Sequence, residues 1–373
     1  MTRDQLLTKR GRAAMLRAVV VASLCIACGD PAVPPDLTVE QPGVYGVGTS
    51  RFVVDATGGR TLVAQAWFPT SDAVTSADIA TLEAAPLDAQ YTQLLATAPS
   101  CPTRMLPVAV DATAAGGTFP LVLISHCHSC TRLSNATTAI RLASHGFVAV
   151  TVEHAGDTLW EHLAGHDADI NSAELEVRAQ DVRATLDAIT AGATPVSTMA
   201  DLAHVGVLGH SFGAVTAGRV AQLDARFLAA AALCAPMENP LTPGVTLADV
   251  HVPLMFVVAI EDNSITEFGN KFIRDNFTAA TTPATKIEIP DAGHWSVSDL
   301  DGLVDIFAPG CGEATRQTDG SDFTYLDPPT GRAIAASYAT AFFEATLLGS
   351  AGAESYLQSA SPTFGTLDVQ HHD

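Results

Sequence analysis

Two kinds of apolar spacing organise this chain. From Phe119 onward, short unbroken apolar runs recur, separated by segments with helical spacing. Phe119 to Ser125, Phe147 to Glu153, the run ending at Val205-Gly-Val-Leu, Phe227 to Cys234, Pro253 to Ile260 and Thr285 to Ile289 read as strands, the last being the final strand. Arg132 to Ser144, Ser172 to Ala191, Ala214 to Leu223, Asn270 to Ala280 and Arg332 to Leu348 read as helices. In the second helix Leu175, Val182, Leu186 and Ile189 share one stripe. A strand that is apolar at every position is buried on both faces, so this alternation predicts a parallel sheet covered by helices on both sides. Upstream, Ser50 to Ala56 and Thr61 to Phe68 form a hairpin signal around Thr57-Gly-Gly59. Residues 71–117 are weakly patterned and rich in Ala, Thr and Pro. They read as a peripheral excursion with a short helix near Leu82 to Ala96. Residues 351–373 carry little pattern and receive no assignment.

Composition narrows the picture. With 373 residues, 47% of them hydrophobic, the chain can build one large core, here placed at residues 44–350. A formal charge of −21 argues against a nucleic-acid partner, which would require clustered Lys and Arg.

At the start, Lys9, Arg10, Arg12 and Arg17 precede the apolar run Ala18 to Ala27, which ends at Cys28-Gly-Asp. That run is too short for a span of about 20 residues and suits a signal h-region. Residues 1–27 are therefore expected to be a lipoprotein-type signal peptide, with Met15 as a second candidate start. Cys28 is the expected lipidated residue, although Cys25 stands where such signals usually carry Leu. Pro31, Pro34, Pro35 and Pro42 make residues 28–43 a plausible extended tether. The expected location is outside the cytoplasm, held to the cell envelope by lipid on Cys28 alone; ordinary cleavage and release is the alternative.

Export permits disulfides. Besides Cys25 and Cys28 there are five cysteines. Cys234, within Ala-Ala-Leu-Cys-Ala, reads as a buried free thiol. Cys101, Cys127, Cys130 and Cys311 allow three pairings.

The candidate chemistry centres on Val205-Gly-Val-Leu-Gly-His-Ser211-Phe-Gly-Ala214. An apolar strand breaks here into Gly-x-Ser-x-Gly and then a helix, the setting of a nucleophile elbow. Gly209 and Gly213 remove side chains from the tight turn. A serine hydroxyl is a weak nucleophile and needs a base oriented by a carboxylate. Late strands supply both: one ends at Glu261-Asp262, another at Asp291-Ala-Gly-His294. Parallel strands bring their carboxyl ends to one edge, so Ser211, Asp262 as acid and His294 as base can converge. Glu261 and Asp291 are rival acids. For the oxyanion, the backbone N–H of Phe212 and that of His128, in Ser125-His-Cys-His-Ser-Cys130, are the expected donors. His126, Cys127, His128 and Cys130, with His154, also have the composition of a metal site. Adjacent ligands on one tight loop rarely form a tetrahedron, so no metal is expected, and a disulfide there would stiffen the oxyanion loop.

Gly-His-Ser-Phe-Gly, Phe119-Pro-Leu-Val-Leu-Ile-Ser-His126 and Ala143-Ser-His-Gly-Phe-Val-Ala-Val150 resemble the platelet-activating-factor acetylhydrolase and predicted dienelactone hydrolase branch of the α/β-hydrolases. Cutinase-like polyester hydrolases lie in the same neighbourhood. The resemblance covers roughly residues 44–348. Val152-Glu-His154 and Gly-His-Trp-Ser-Val-Ser-Asp299 look like the acetylhydrolase side. It implies a mostly parallel eight-stranded sheet, a triad on Ser211, Asp262 and His294, and ester cleavage without cofactor or metal. The group's Ser-His-Gly-x-Gly loop here reads Ser125-His-Cys-His-Ser129, and the serine nucleophile departs from the cysteine of dienelactone hydrolases proper.

The expected function is therefore hydrolysis of short-chain or small-headgroup carboxylic esters through an acyl-enzyme, the substrate being a small-molecule or polymeric ester. Alternatives are a polyester hydrolase or phospholipid acetylhydrolase and, from another class, an inactive hydrolase fold serving as a binding lipoprotein.

Overall fold

The structure, a computed structural model, describes residues 33–373. The expected signal peptide and Cys28 lie outside the described residues. In chain order the strands and helices are β1 (Gly46–Ala56), β2 (Arg60–Thr70), β3 (Thr75–Asp78), α1 (Leu87–Thr97), β4 (Met105–Val110), β5 (Phe119–Ser125), α2 (Ala136–Ser144), β6 (Val148–Val152), α3 (Leu159–Leu163) and α4 (Ser172–Thr190). They continue with β7 (Ala200–His210), α5 (Phe212–Leu223), β8 (Phe227–Leu233), β9 (Leu254–Ala259), α6 (Thr266–Ala279), β10 (Ala284–Ile289), β11 (Glu313–Thr315), β12 (Asp322–Thr324), α7 (Pro328–Leu348), α8 (Ala351–Leu357) and β13 (Asp368–His372).

The main sheet has the order β13-β10-β9-β8-β7-β5-β6-β2-β1-β4-β3. Its centre, from β6 through β10, is parallel. The unbroken apolar runs have the cause inferred for them. Along β9, Leu254, Phe256 and Val258 join the core beneath α4, α5 and α6, while Met255, Val257 and Ala259 join the core beneath α2 and α7. Successive side chains of a strand point to opposite faces, so both faces of the sheet are dry at its parallel centre.

The sheet has 11 strands rather than the eight expected. The excursion at 71–117 supplies β3 and β4, with β4 pairing parallel to β1 and β3 closing that edge. The unassigned tail supplies α8 and then β13, antiparallel to β10, so Thr285–Ile289 is not the last strand. The final part of the expected tether is also packed: Val39 is buried, Asp36 N–H donates to the Gly352 carbonyl at 2.9 Å, and Glu40 accepts from Tyr356 and Ser361 hydroxyls. Among the described residues no helix is long and apolar enough to cross a membrane.

Candidate active site

The turn at the end of β7 is as tight as the sequence implies. Ser211 has φ 55° and ψ −122°, a region costly for a residue bearing a Cβ and retained where surroundings enforce it. Its N–H donates to the Leu233 carbonyl and its own carbonyl accepts from Ala214 N–H. A Cβ on Gly209 would lie 1.8 Å from the Gly213 carbonyl oxygen, and one on Gly213 would lie 2.1 Å from that of Ser125. Only hydrogen fits at either position. Phe212 opens α5, so its N–H has no acceptor within the helix.

The late loops deliver the other two residues. Asp262 and His294 are fully buried, and His294 Nδ1 donates to Asp262 Oδ2 at 2.7 Å. Asp262 Oδ1 accepts from the N–H groups of Ser264 and Ile265 at 2.9 and 2.8 Å, which fixes the carboxylate plane. Asn263 Oδ1 accepts His294 N–H at 3.2 Å. The His294 ring stands 5.1 Å from that of His210, which donates from Nε2 to the His294 carbonyl at 3.0 Å. His294 is thereby seated against the residue preceding Ser211. His294 Nε2 is buried and free of any hydrogen bond among the described residues, Ser211 included.

The rival acids are occupied elsewhere. Arg316 pairs with Glu261 at 3.0 Å and with Asp291 at 2.6 Å. Gln317, beside it, donates its side chain to the Asp262 carbonyl. Nothing in the sequence singled out Arg316 or Gln317, whose contacts depend on a segment far along the chain folding over Asp262, or Asn263, whose contact depends on the His294 loop meeting its own.

The loop after β5 lies against the elbow, with the His128 ring 6.5 Å from that of Phe212. It replaces the expected glycines by other means. Cys127 and Cys130 are joined in a disulfide. Ser129 adopts φ 53°, its N–H donating to Asp157 Oδ1 at 2.8 Å and its hydroxyl to Asp167 at 2.5 Å. His128 Nδ1 lies 2.7 Å from Asp157 Oδ1, off the line of a good hydrogen bond. Burial raises the Asp157 pKa, but the charge of Arg178 and the neighbouring His128 outweigh it and hold the carboxyl below its ordinary range.

The groups that suggested a metal site have other partners. Both cysteine sulfurs are in the disulfide. His126 Nε2 accepts the His154 N–H at 2.9 Å, and its Nδ1 donates to the Cys127 carbonyl at 2.6 Å. Burial, then the charges of Arg178 and His154, push the His126 pKa well down, so the ring is neutral. Cys101 pairs with Cys311, and Cys234 is the buried free thiol expected.

Sequence reading missed a second Ser-His-Asp array. His154 Nε2 accepts from Ser125 Oγ at 2.9 Å, and His154 Nδ1 donates to Asp181 at 3.1 Å. All three residues are fully buried and Ser125 ends a regular strand, so no substrate reaches its hydroxyl. This array braces the base of the loop after β5.

Beside Ser211 opens a cleft of about 300 Å³, lined by Phe212, Val215, Leu241, Ile265, Phe268 and Phe272 among others. That is at the lower end of small-ligand sites. Trp160 packs near Tyr91, outside this cleft.

Sheet, elbow and late loops are those of an α/β-hydrolase, and comparison with known proteins narrows this to the esterase-type hydrolases. The family model described as PET hydrolase-like matches residues 109–299, just over half of the sequence, and the chain belongs to that family. The model for platelet-activating factor acetylhydrolase, isoform II, matches residues 40–160. Among solved structures, a ferulic acid esterase from Streptomyces cinnamoneus superposes with a TM-score of 0.65 at 21% identity, covering 87% of this chain and 96% of that one. At that identity the likeness speaks for the fold. No curated protein sequence matches the chain. The resemblance drawn from the sequence motifs is borne out.

Proposed function

We propose that the protein is a serine carboxylic-ester hydrolase. The observation that carries this reading is the buried Asp262–His294 pair at 2.7 Å, seated against an elbow whose serine has φ 55°. His294 Nε2 takes the Ser211 proton as Oγ attacks the ester carbonyl; this contact, open in the resting geometry, closes with substrate, as such contacts commonly do. Phe212 and His128 N–H groups stabilise the oxyanion. His294 then protonates the departing alcohol and activates the water that releases the acid. Asp262 fixes the tautomer and balances the imidazolium.

Short-chain or small-headgroup esters fit a cleft of about 300 Å³. A polyester is the second reading. It is favoured by the exposed Leu241 (69%) and Phe268 (60%) at the cleft, which give an apolar rim suited to a chain that overruns the pocket. Hydrolysis of p-nitrophenyl esters from acetate to laurate, with Ser211→Ala alongside, tests both. Activity that depends on Ser211 and falls with chain length supports the first; activity rising with length, together with release of soluble products from a polyester film, supports the second. No turnover by the folded chain would support an inactive binding protein.

We also propose export with lipid on Cys28. The two disulfides suit an oxidising compartment. Blocking lipoprotein signal processing in the producing bacterium should leave a larger precursor, and unchanged processing would refute the anchor.

A further inference from the structure

Arg178, on α4, has no exposed surface and plays no part in the chemistry above. Burying a guanidinium costs several kcal/mol in lost hydration, so what it binds is informative. It is paired with Asp157 and donates from Nη2 to the His126 carbonyl and, at 3.3 Å, to Ser125 Oγ. Its Nε donates to Thr216 Oγ1 at 3.2 Å, and its plane lies over the Phe212 ring, 4.8 Å from the centroid.

These partners stand on the two walls of one site. Ser125 and His126 lead into the loop that carries His128, and Asp157 holds the Ser129 N–H of that loop. On the other wall, Thr216 hydroxyl donates to the Phe212 carbonyl at 3.0 Å, so the contact from Arg178 reaches the first peptide of α5. We propose that Arg178 is a positioning residue for the oxyanion hole, setting the spacing between the Phe212 N–H on one element and the His128 N–H on another. The inference rests on the serine-hydrolase reading.

The chemistry of the side chain suits the task. Two donors from separate elements must meet one oxygen at about 2.7–3.1 Å. A planar guanidinium with five donors bridges several acceptors at fixed angles, whereas an ammonium offers a mobile point charge. Ser125 illustrates the fit: its oxygen receives Arg178 while its hydrogen goes to His154. Because the hole complements the transition-state oxyanion, misplacing it lowers kcat and leaves ground-state binding nearly untouched.

The test compares Arg178→Met and Arg178→Lys with the parent and Ser211→Ala, using p-nitrophenyl butyrate, thermal unfolding, and inhibition by a trifluoromethyl ketone that adds to the serine as a tetrahedral oxyanion. Arg178→Met is expected to lower kcat per folded molecule by about 10²–10³-fold, as loss of a hole donor does, with KM within about threefold. Its Ki for the ketone should rise in parallel, and Arg178→Lys should fall between. A folded Arg178→Met variant with parental kcat and Ki overturns the proposal. If that variant does not fold, Thr216→Val decides. That change breaks the relay to Phe212 and should cost roughly 2–10-fold in kcat at constant KM, the value of one hydrogen bond; unchanged kcat overturns the proposal. Failure of the underlying reading shows separately, as a parent with no Ser211-dependent turnover, and overturns both.

Discussion

Replacing Asp262 by Asn separates the acid assigned here from its neighbours. The side chain is fully buried, its Oδ2 is 2.7 Å from His294 Nδ1, and its Oδ1 accepts two backbone N–H groups. Asn can keep Oδ1 for Ser264 and Ile265, so its NH₂ then faces His294 Nδ1. Two donors cannot share that line, and the imidazole is driven to the tautomer with hydrogen on Nε2, where it cannot take the serine proton. The carboxylate that would balance the imidazolium is also lost. Two unit charges about 4 Å apart interact by roughly 4 kcal/mol at an effective dielectric of 20. At 1.36 kcal/mol per tenfold that is about 10³ in rate, and the tautomer change carries the total toward ~10⁴. Asp291→Asn makes the contrast. Asp291 is partly exposed and pairs with a partly exposed Arg316; such pairs contribute about 0–1 kcal/mol, so its rate should stay within roughly fivefold. The assay is kcat/KM on p-nitrophenyl butyrate with melting temperature measured in parallel. A folded Asp262→Asn variant within tenfold of the parent, or an Asp291→Asn variant equally impaired, would rule out Asp262 as the acid.

Three further outcomes are expected. Gly213→Ala would press a Cβ to 2.1 Å from the Ser125 carbonyl and 2.8 Å from that of His126. These are backbone atoms with no room to swing, so at least about 1–3 kcal/mol of stability should be lost, with activity falling further; a parental melting temperature would contradict this. Asp301 is buried with one oxygen unpartnered, and burial, despite the Gly310 N–H and Arg332, raises its pKa from 3.8 to about 6. The folded chain therefore holds this proton to higher pH than the unfolded chain does. The stabilisation it gives is complete below about pH 4 and lost as pH rises through 6. Denaturant titrations should show Asp301→Asn removing that component, with the variant gaining up to about 3 kcal/mol on the parent at pH 8; identical pH profiles would contradict it. Finally, the Cys101–Cys311 bond spans a sequence separation of 210 and the Cys127–Cys130 bond one of 3. Chain entropy assigns them about 5 and about 2 kcal/mol. Replacing the first pair by Ser should cost more stability, and replacing the second should cost mainly rate; the reverse order would count against a local role for the oxyanion-loop bond.

What the sequence made legible follows from how each element is held. β5, β8 and β9 are buried at nearly every position, which forces apolar runs with ends readable to within a residue or two; β10 is buried too, but Lys286 and Glu288 interrupt its apolar pattern, the two pairing with each other. The elbow was legible because its geometry admits only glycine at 209 and 213. β3 and β13, Thr-Ser-Ala-Asp and Asp-Val-Gln-His-His, carry no such signature. Edge strands pair through the backbone and leave their side chains largely in water, so polarity concealed them. The Asp262–His294 pairing was legible because chain order and strand ends constrain it. Arg178 was not, although a trace was present: with Asp181 it shares the buried stripe of α4 otherwise marked by Leu175, Val182, Leu186 and Ile189. A cation on an apolar stripe is the signal that deserved a question. Its partners come from β5, α5 and the loop after β6, and only the fold assembles them.

Whether Ser211 is an activated nucleophile is decided by treating the purified protein with a fluorophosphonate and mapping the adduct by mass spectrometry. One stoichiometric adduct is expected on the peptide carrying Ser211, absent in Ser211→Ala and strongly slowed in Asp262→Asn. A folded, unlabelled parent, or labelling that persists in Ser211→Ala, would contradict it.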